Sequence, residues 1–142
     1  MEEEPRKRSR IDYDTITPEE ARSLIARLEK NYTTNSIGCK LFGGSLNTDG
    51  YAQIQLKGAG PGGKKRNLLA HIVAVRSTGR KAPSPGEHGS HICNMRNCFH
   101  PEHVTVESVF LNNQRKGCPG DIRCDCGKLA YACPHDPKCI RC

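Results

Sequence analysis

Tryptophan is absent from the 142 residues of the chain, aromatic residues make up 5% of it, and hydrophobic residues 35%. So little large apolar material can bury only a thin core, so a domain of this polarity calls for additional staples. Long hydrophobic runs are missing too. The longest span only a few residues, too short to cross a bilayer. The opening MEEEPRKRSR has no apolar stretch of the secretory kind. These absences argue against a membrane partner and point to an intracellular protein, where thiols stay reduced.

What the chain does have is nine cysteines. The number is odd, which suits complete disulfide pairing poorly, and in a reducing compartment such patterns more often hold metal. The formal net charge of +7 agrees with a polyanionic partner. An inert basic surface accounts for the charge equally well, so charge decides nothing alone.

Residues 1–14 read as a flexible basic lead, and 15–142 as one domain. The cluster Pro5-Arg6-Lys7-Arg8-Ser9-Arg10 suits nuclear import or contact with a DNA backbone, and suits a solvated tail as well. Thr17-Pro18-Glu19-Glu20 starts a helix: Thr17 caps, Pro18 takes the first helical position and Glu20 completes a capping box. Ala21, Leu24, Ile25 and Leu28 then give one apolar face through about Lys30.

Asn47-Thr48-Asp49-Gly50 is a hairpin turn signal. After it, Ala52, Ile54 and Leu56 alternate with Gln53, Gln55 and Lys57, as on a strand with one wet face. Gly58–Gly63 reads as a loop, followed by Lys64, Lys65 and Arg66. Leu68–Val75 is a buried segment, helix or strand, and residues 82–89, rich in Pro, Gly and Ser, read as a loop. The polar strand face has two meanings. Gln suits adenine edges, Lys suits guanine edges, and a two-stranded ribbon fits the major groove. Taken alone, the wet face of an antiparallel hairpin is the commoner meaning.

The densest chemistry lies between Ser90 and His103. Cys93, Cys98 and His103 fall five residues apart, and structural zinc wants four thiolate or imidazole ligands in a tetrahedron. Cys39 is the natural fourth. Downstream, Val104–Glu107 returns as a strand, and Ser108 caps a short helix through Arg115. The outline is strand, zinc loop, strand, helix, with His91 on the first strand and Asn112 on the helix.

These residues resemble the His-Cys box homing endonucleases, within the His-Me finger (ββα-metal) nucleases. The resemblance rests on Ser90-His91-Ile92-Cys93, Cys98, Pro101-Glu102-His103, Glu107-Ser108, Asn112, Arg115 and Cys118. It reaches more weakly back to Cys39 and the Asp49-Gly50-Tyr51 turn and covers roughly residues 39–139. It implies a small zinc-stapled α+β domain with antiparallel hairpins for DNA contact, a catalytic motif at about 89–116 and a second zinc region at 118–142.

By the same resemblance, His91 is the general base and Asn112 the one protein ligand of a catalytic Mg²⁺. Cys39, Cys93, Cys98 and His103 form the first zinc site. Cys118, Cys133, His135 and Cys139 form the second, making two structural Zn²⁺ per chain. The chemistry is coherent: a neutral imidazole accepts a proton from water near physiological pH, and a hydrated Mg²⁺ needs few protein ligands when DNA phosphates supply the rest.

Cys124 or Cys126 competes for the second zinc site, or Cys124, Cys126 and Cys142 hold a further ion with a fourth ligand, or all three are free thiols. Asn113 is a rival to Asn112, though only Asn112 has the family's spacing from His91. His71, in an apolar segment, reads as a satisfied core histidine, His88 as an exposed loop residue, and His100 as a bystander or backbone contact.

Beside such a site the polar strand face reads as DNA-binding, through Gln53, Gln55 and Lys57. Lys64, Lys65 and Arg66 are candidates for the basic residue with which the family steadies the product phosphate. The expected activity is site-specific, Mg²⁺-dependent cleavage of double-stranded DNA by a nuclear homodimer. No counterpart of the family's exchanged C-terminal arm is expected after Cys139. A zinc-structured DNA binder without catalysis and a nonspecific nuclease of the same fold are the alternatives.

Overall fold

The computed structural model describes residues 12–56 and 65–141. Most of the basic lead, the loop Gly58–Gly63, Lys57, Lys64 and Cys142 lie outside them.

The first helix starts as its capping residues dictate. The Thr17 hydroxyl accepts the Glu20 backbone N–H at 3.1 Å, and Pro18 opens α1 (Pro18–Leu28). Ala21, Leu24, Ile25 and Leu28 are all buried. The helix ends two residues short of Lys30, whose N–H turns back to Arg27 O at 3.4 Å. Two hairpin ladders follow. The first joins β1 (Tyr32–Thr34) to β2 (Lys40–Phe42). In the second, β3 (Gln53–Leu56) pairs with β4 (Arg66–Leu69), Ile54 opposite Leu68 and Gln55 opposite Asn67. Ahead of β3, the Asn47 carboxamide oxygen accepts the Asp49 and Tyr51 N–H groups, and Gly50 takes φ 87°, which closes the expected turn.

The segment for which helix and strand were both open is both. β4 ends at Leu69 and α2 (Ala70–Ser77) begins at the next residue. Ala70 to Arg76 are buried without a break, so α2 is sealed all round and carries no amphipathic period to read. It packs against α1 on one side and a later hairpin on another.

That hairpin is β5 (Glu87–His91) against β6 (Val104–Ser108), with His91 opposite Val104 and His88 opposite Glu107. α3 (Val109–Lys116) follows directly, its start fixed by the Ser108 hydroxyl accepting the Leu111 N–H at 3.2 Å. The expected loop at 82–89 is therefore too long. Glu87, His88 and Gly89 belong to β5, so His88 is a strand residue. Nothing in Glu-His-Gly-Ser-His alternates in polarity, so tertiary pairing makes this strand. Gly89 lies close under α2: a Cβ there would sit 2.7 Å from Ile72 Cδ1 and 3.1 Å from the His71 ring, so those side chains would have to shift. A last small ladder joins β7 (Ile122–Arg123) to β8 (Leu129–Tyr131).

The main apolar cluster gathers Ile16, the buried face of α1, Ala52, Ile54, Leu68, Ala70, Val73, Ala74 and Phe99. Phe99, wholly buried, meets Tyr32 and Phe42 edge-on at 5.7 and 6.4 Å between ring centroids. Among the described residues no helix is long and apolar enough to cross a membrane.

Because this core has so few large side chains, Phe99→Ala is expected to lower unfolding stability by about 3–5 kcal/mol. Denaturant titration of the zinc-loaded protein measures it, and a loss under about 1 kcal/mol would mean that Phe99 is not the keystone its burial implies.

Candidate active site and metal centres

The first Cys/His cluster is built by bringing β2 onto the loop after β5. Phe99 N–H donates to Lys40 O at 2.9 Å and Phe42 N–H to Asn97 O at 3.0 Å, which draws Cys39 to Cys98. Asn94, at φ 57°, turns the chain directly after Cys93. Cys39, Cys93, Cys98 and His103 are all buried, with ligand atoms within 4.8 Å of one another. His103 Nδ1 lies 3.4 Å from Cys39 Sγ and 3.6 Å from Cys98 Sγ. Ligands around tetrahedral zinc stand about 3.5–3.8 Å apart at Zn–S of about 2.3 Å and Zn–N of about 2.0–2.1 Å. The fit is good. His91 is outside this set.

The second cluster is Cys118, Cys133, His135 and Cys139, again within 4.8 Å. Cys118 and Cys133 sulfurs are 3.6 Å apart, and His135 Nδ1 is 3.4 Å from Cys133 Sγ and 3.6 Å from Cys139 Sγ. Burial disfavours the Cys133 thiolate, but the N–H groups of Cys139 and His135 and the His135 and Cys118 side chains outweigh it and bring the pKa to about 6. Cys124 and Cys126 are exposed on the β7–β8 turn, away from both clusters.

Two arginines tie the second cluster to the β5–β6 hairpin. Arg115, on α3, holds Glu107 of β6 through Nε at 2.6 Å and Nη2 at 2.9 Å. It also donates to Pro137 O at 2.6 Å and to Cys139 Sγ at 3.4 Å. Arg141 donates to Cys118 O, Ile92 O and Arg115 O at 2.6–2.9 Å.

His91 ends β5 beside a cavity of about 30 Å³ that it shares with Tyr51, Asn94, Arg96, Asn112, Arg115 and Lys116. Its Nε2 lies 2.9 Å from the Cys98 carbonyl. A carbonyl only accepts, so Nε2 carries the proton and Nδ1 keeps a free lone pair. Burial is the main cause that holds the His91 pKa below the ordinary histidine value. Asn112, one turn into α3, lines this cavity and also a larger one of about 350 Å³. Asn113 lines neither and is exposed.

Two histidines were not identified as site residues from the sequence. His71 is buried on α2, but its Nδ1 has no hydrogen-bond partner among the described residues, so it is not the satisfied core histidine expected. Its ring meets His91 at 4.6 Å and Tyr51 at 5.3 Å. Burial first, and then His91 and His88, hold its pKa well below the ordinary value. His88 is exposed on β5, with Nδ1 3.0 Å from the Asn112 amide. Only their residue type could have signalled either. His100 is a backbone contact: its Nδ1 accepts the Glu102 N–H at 3.1 Å, and its ring stacks on His103.

On the β3–β4 hairpin, Gln53 and Gln55 share the outer face, and Asn67, opposite Gln55, joins them. Lys65 is exposed just ahead of β4. Arg66, opposite Leu56, takes the parity of Leu68 and so belongs to the other face of the ribbon.

A zinc-stapled α+β domain with a strand–loop–strand–helix motif and two Cys/His clusters defines a metal-binding nuclease-like class. The chain belongs to the family described as the zinc-binding loop region of homing endonuclease, whose model matches residues 44–142. No curated protein and no solved structure gives a significant match.

Elemental analysis is expected to find two zinc ions per wild-type chain and one in Cys118→Ser. Fewer than two in the wild type would remove the second cluster. Acidification tests the buried histidines. His71 binds its proton more weakly folded than unfolded, so its contribution is complete above about pH 6.5 and is lost as pH falls below that value. His71→Phe should therefore lose less stability than wild type between pH 7 and 5, read as the difference in thermal midpoints. Parallel curves would show that His71 is not held neutral.

Proposed function

We propose that this protein is an endonuclease that hydrolyses phosphodiester bonds in double-stranded DNA at a specific site, with His91 as general base and Asn112 as ligand of a catalytic Mg²⁺. The observation that carries the reading is the His91 ring. Its Nε2–H is committed to the Cys98 carbonyl, and burial keeps it neutral beside a cavity whose other wall carries Asn112. A base must hold an accepting lone pair at working pH, and this tautomer leaves it on Nδ1.

The remaining residues have roles that follow from their chemistry. His91 Nδ1 takes the proton from the attacking water, and the new positive charge spreads to Nε2 against the Cys98 carbonyl. Arg96 and Lys116, on the same cavity wall, attract the phosphate. The carboxamide of Asn112 offers a hard oxygen donor of the type Mg²⁺ prefers, and it adds no negative charge against the DNA. When bound, the ion supplies Lewis-acid relief of charge at the phosphate and the leaving oxygen. Gln53 and Gln55, with Asn67 beside them, read base edges from the β3–β4 ribbon, and Lys57, Lys64 and Lys65 add phosphate attraction. Cutting both strands of a two-fold site calls for two copies, so a homodimer acting in the nucleus completes the reading.

Plasmid nicking in Mg²⁺ tests it. His91→Ala is expected to lower the rate by about 10²–10⁴-fold, and Asn112→Ala to abolish Mg²⁺-dependent cleavage. Equal rates in all three proteins would refute the site.

A further inference from the structure

We infer that His88 is a second protein ligand of the catalytic cation beside Asn112, and that it biases the site toward cations that accept an imidazole nitrogen. The inference rests on the proposed function, since it adds a ligand to the same site. Its geometric basis is one distance: the Asn112 side-chain amide Nδ2 donates to His88 Nδ1 at 3.0 Å. Neighbouring ligands of an octahedral ion with bonds of about 2.1 Å are separated by about 3.0 Å, so the two side chains already have the bite of one ion. Amide oxygen and nitrogen exchange places by a half-turn of the side chain, so Asn112 can turn its oxygen to the position facing His88.

The elements hold this pair in place. β5 presents His88, while the neighbouring Gly89 lies against Ile72 and His71 of α2, and α3 presents Asn112. Both residues line the cavity of about 350 Å³, where Tyr51 and His71 form another part of the wall. Such a space admits the waters and phosphate oxygens that complete six-fold coordination. The nearest carboxylate of that wall, Glu87, is engaged elsewhere, accepting the Ser84 N–H at 3.0 Å.

An imidazole nitrogen is a poor partner for Mg²⁺ and a good one for Mn²⁺, Co²⁺ and Ni²⁺. Mixed nitrogen–oxygen ligation therefore leaves Mg²⁺ competent while raising affinity for the transition ions. A hydrogen bond that merely orients Asn112 would instead affect all cations alike, which separates the two roles.

The test uses the zinc-loaded full chain with Mn²⁺ alone as probe, read by electron spin-echo modulation. Wild type and His91→Ala are expected to show one directly bound ¹⁴N. In His88→Gln that modulation should vanish, with Mn²⁺ and Ni²⁺ affinity falling about 10–100-fold and Mg²⁺ affinity much less. Two zinc ions per chain in each variant certify the fold. No nitrogen coupling in wild type, its persistence in His88→Gln, or an equal loss for all three cations would overturn the inference. If that happens while His91→Ala and Asn112→Ala still abolish nicking in Mg²⁺, the nuclease reading stands. If nicking survives both substitutions, that reading fails by itself.

Discussion

Everything in this molecule depends on ligation at Cys39, Cys93, Cys98 and His103. The apolar cluster has a single fully buried phenylalanine, and the ladders are all two-stranded among the described residues. Isolated two-stranded hairpins are marginal in water. Zinc held by four buried ligands supplies a cross-link between the N-terminal third and the loop after β5, of the kind that contributes folding free energy directly. The consequence for His91 is immediate. The Cys98 carbonyl that fixes the His91 tautomer belongs to a residue whose own sulfur is in the cluster. Orientation of the imidazole is thus set by the same residue that staples the fold.

The second cluster reaches the site by a different route, through charge. Arg115 and Glu107 are both buried, and such a pair costs more desolvation than an apolar contact of equal volume. Its value here is geometric. One guanidinium simultaneously grips β6, its own helix α3 and the loop bearing Cys139. Arg141 adds a second clasp, spending its donors on Ile92, Arg115 and Cys118 carbonyls, and the Ile140 N–H meets the same Ile92 oxygen at 2.8 Å. Ile92 separates His91 from Cys93. The two arginines therefore hold α3, and Asn112 with it, against the strand that carries His91.

How much of this was legible depended on where local chemistry determines structure. Thr17-Pro18, Asn47–Gly50 and Ser108 each impose a cap or turn by their own hydrogen bonding, and those boundaries were readable. Regular spacing of Cys93, Cys98 and His103 exposed a cluster, because ligand atoms must converge whatever the backbone does. β5 was different. Its five residues have no alternation and contain Gly89, so only pairing with β6 and packing under α2 make them a strand. With its first three residues, Glu87–Gly89, taken for loop, His88 was placed beside nothing. His71 escaped for a related reason: in a helix buried all round, no periodicity marks the side that faces the site.

The electrostatics of the smaller cavity explain why an amide suits position 112. Arg96, Arg115 and Lys116 line it, and Glu107 is spent on Arg115. The net field is positive, matching the chain's overall charge of +7. A phosphodiester entering there meets cations and neutral dipoles, and like-charge repulsion is avoided while Asn112 still offers an oxygen. Protonation of His71 and His91 is opposed chiefly by burial, with His91 and His88 adding to it at His71 and His103 at His91. A carboxylate at position 112 would repel a phosphate and raise the proton affinity of the neighbouring imidazoles.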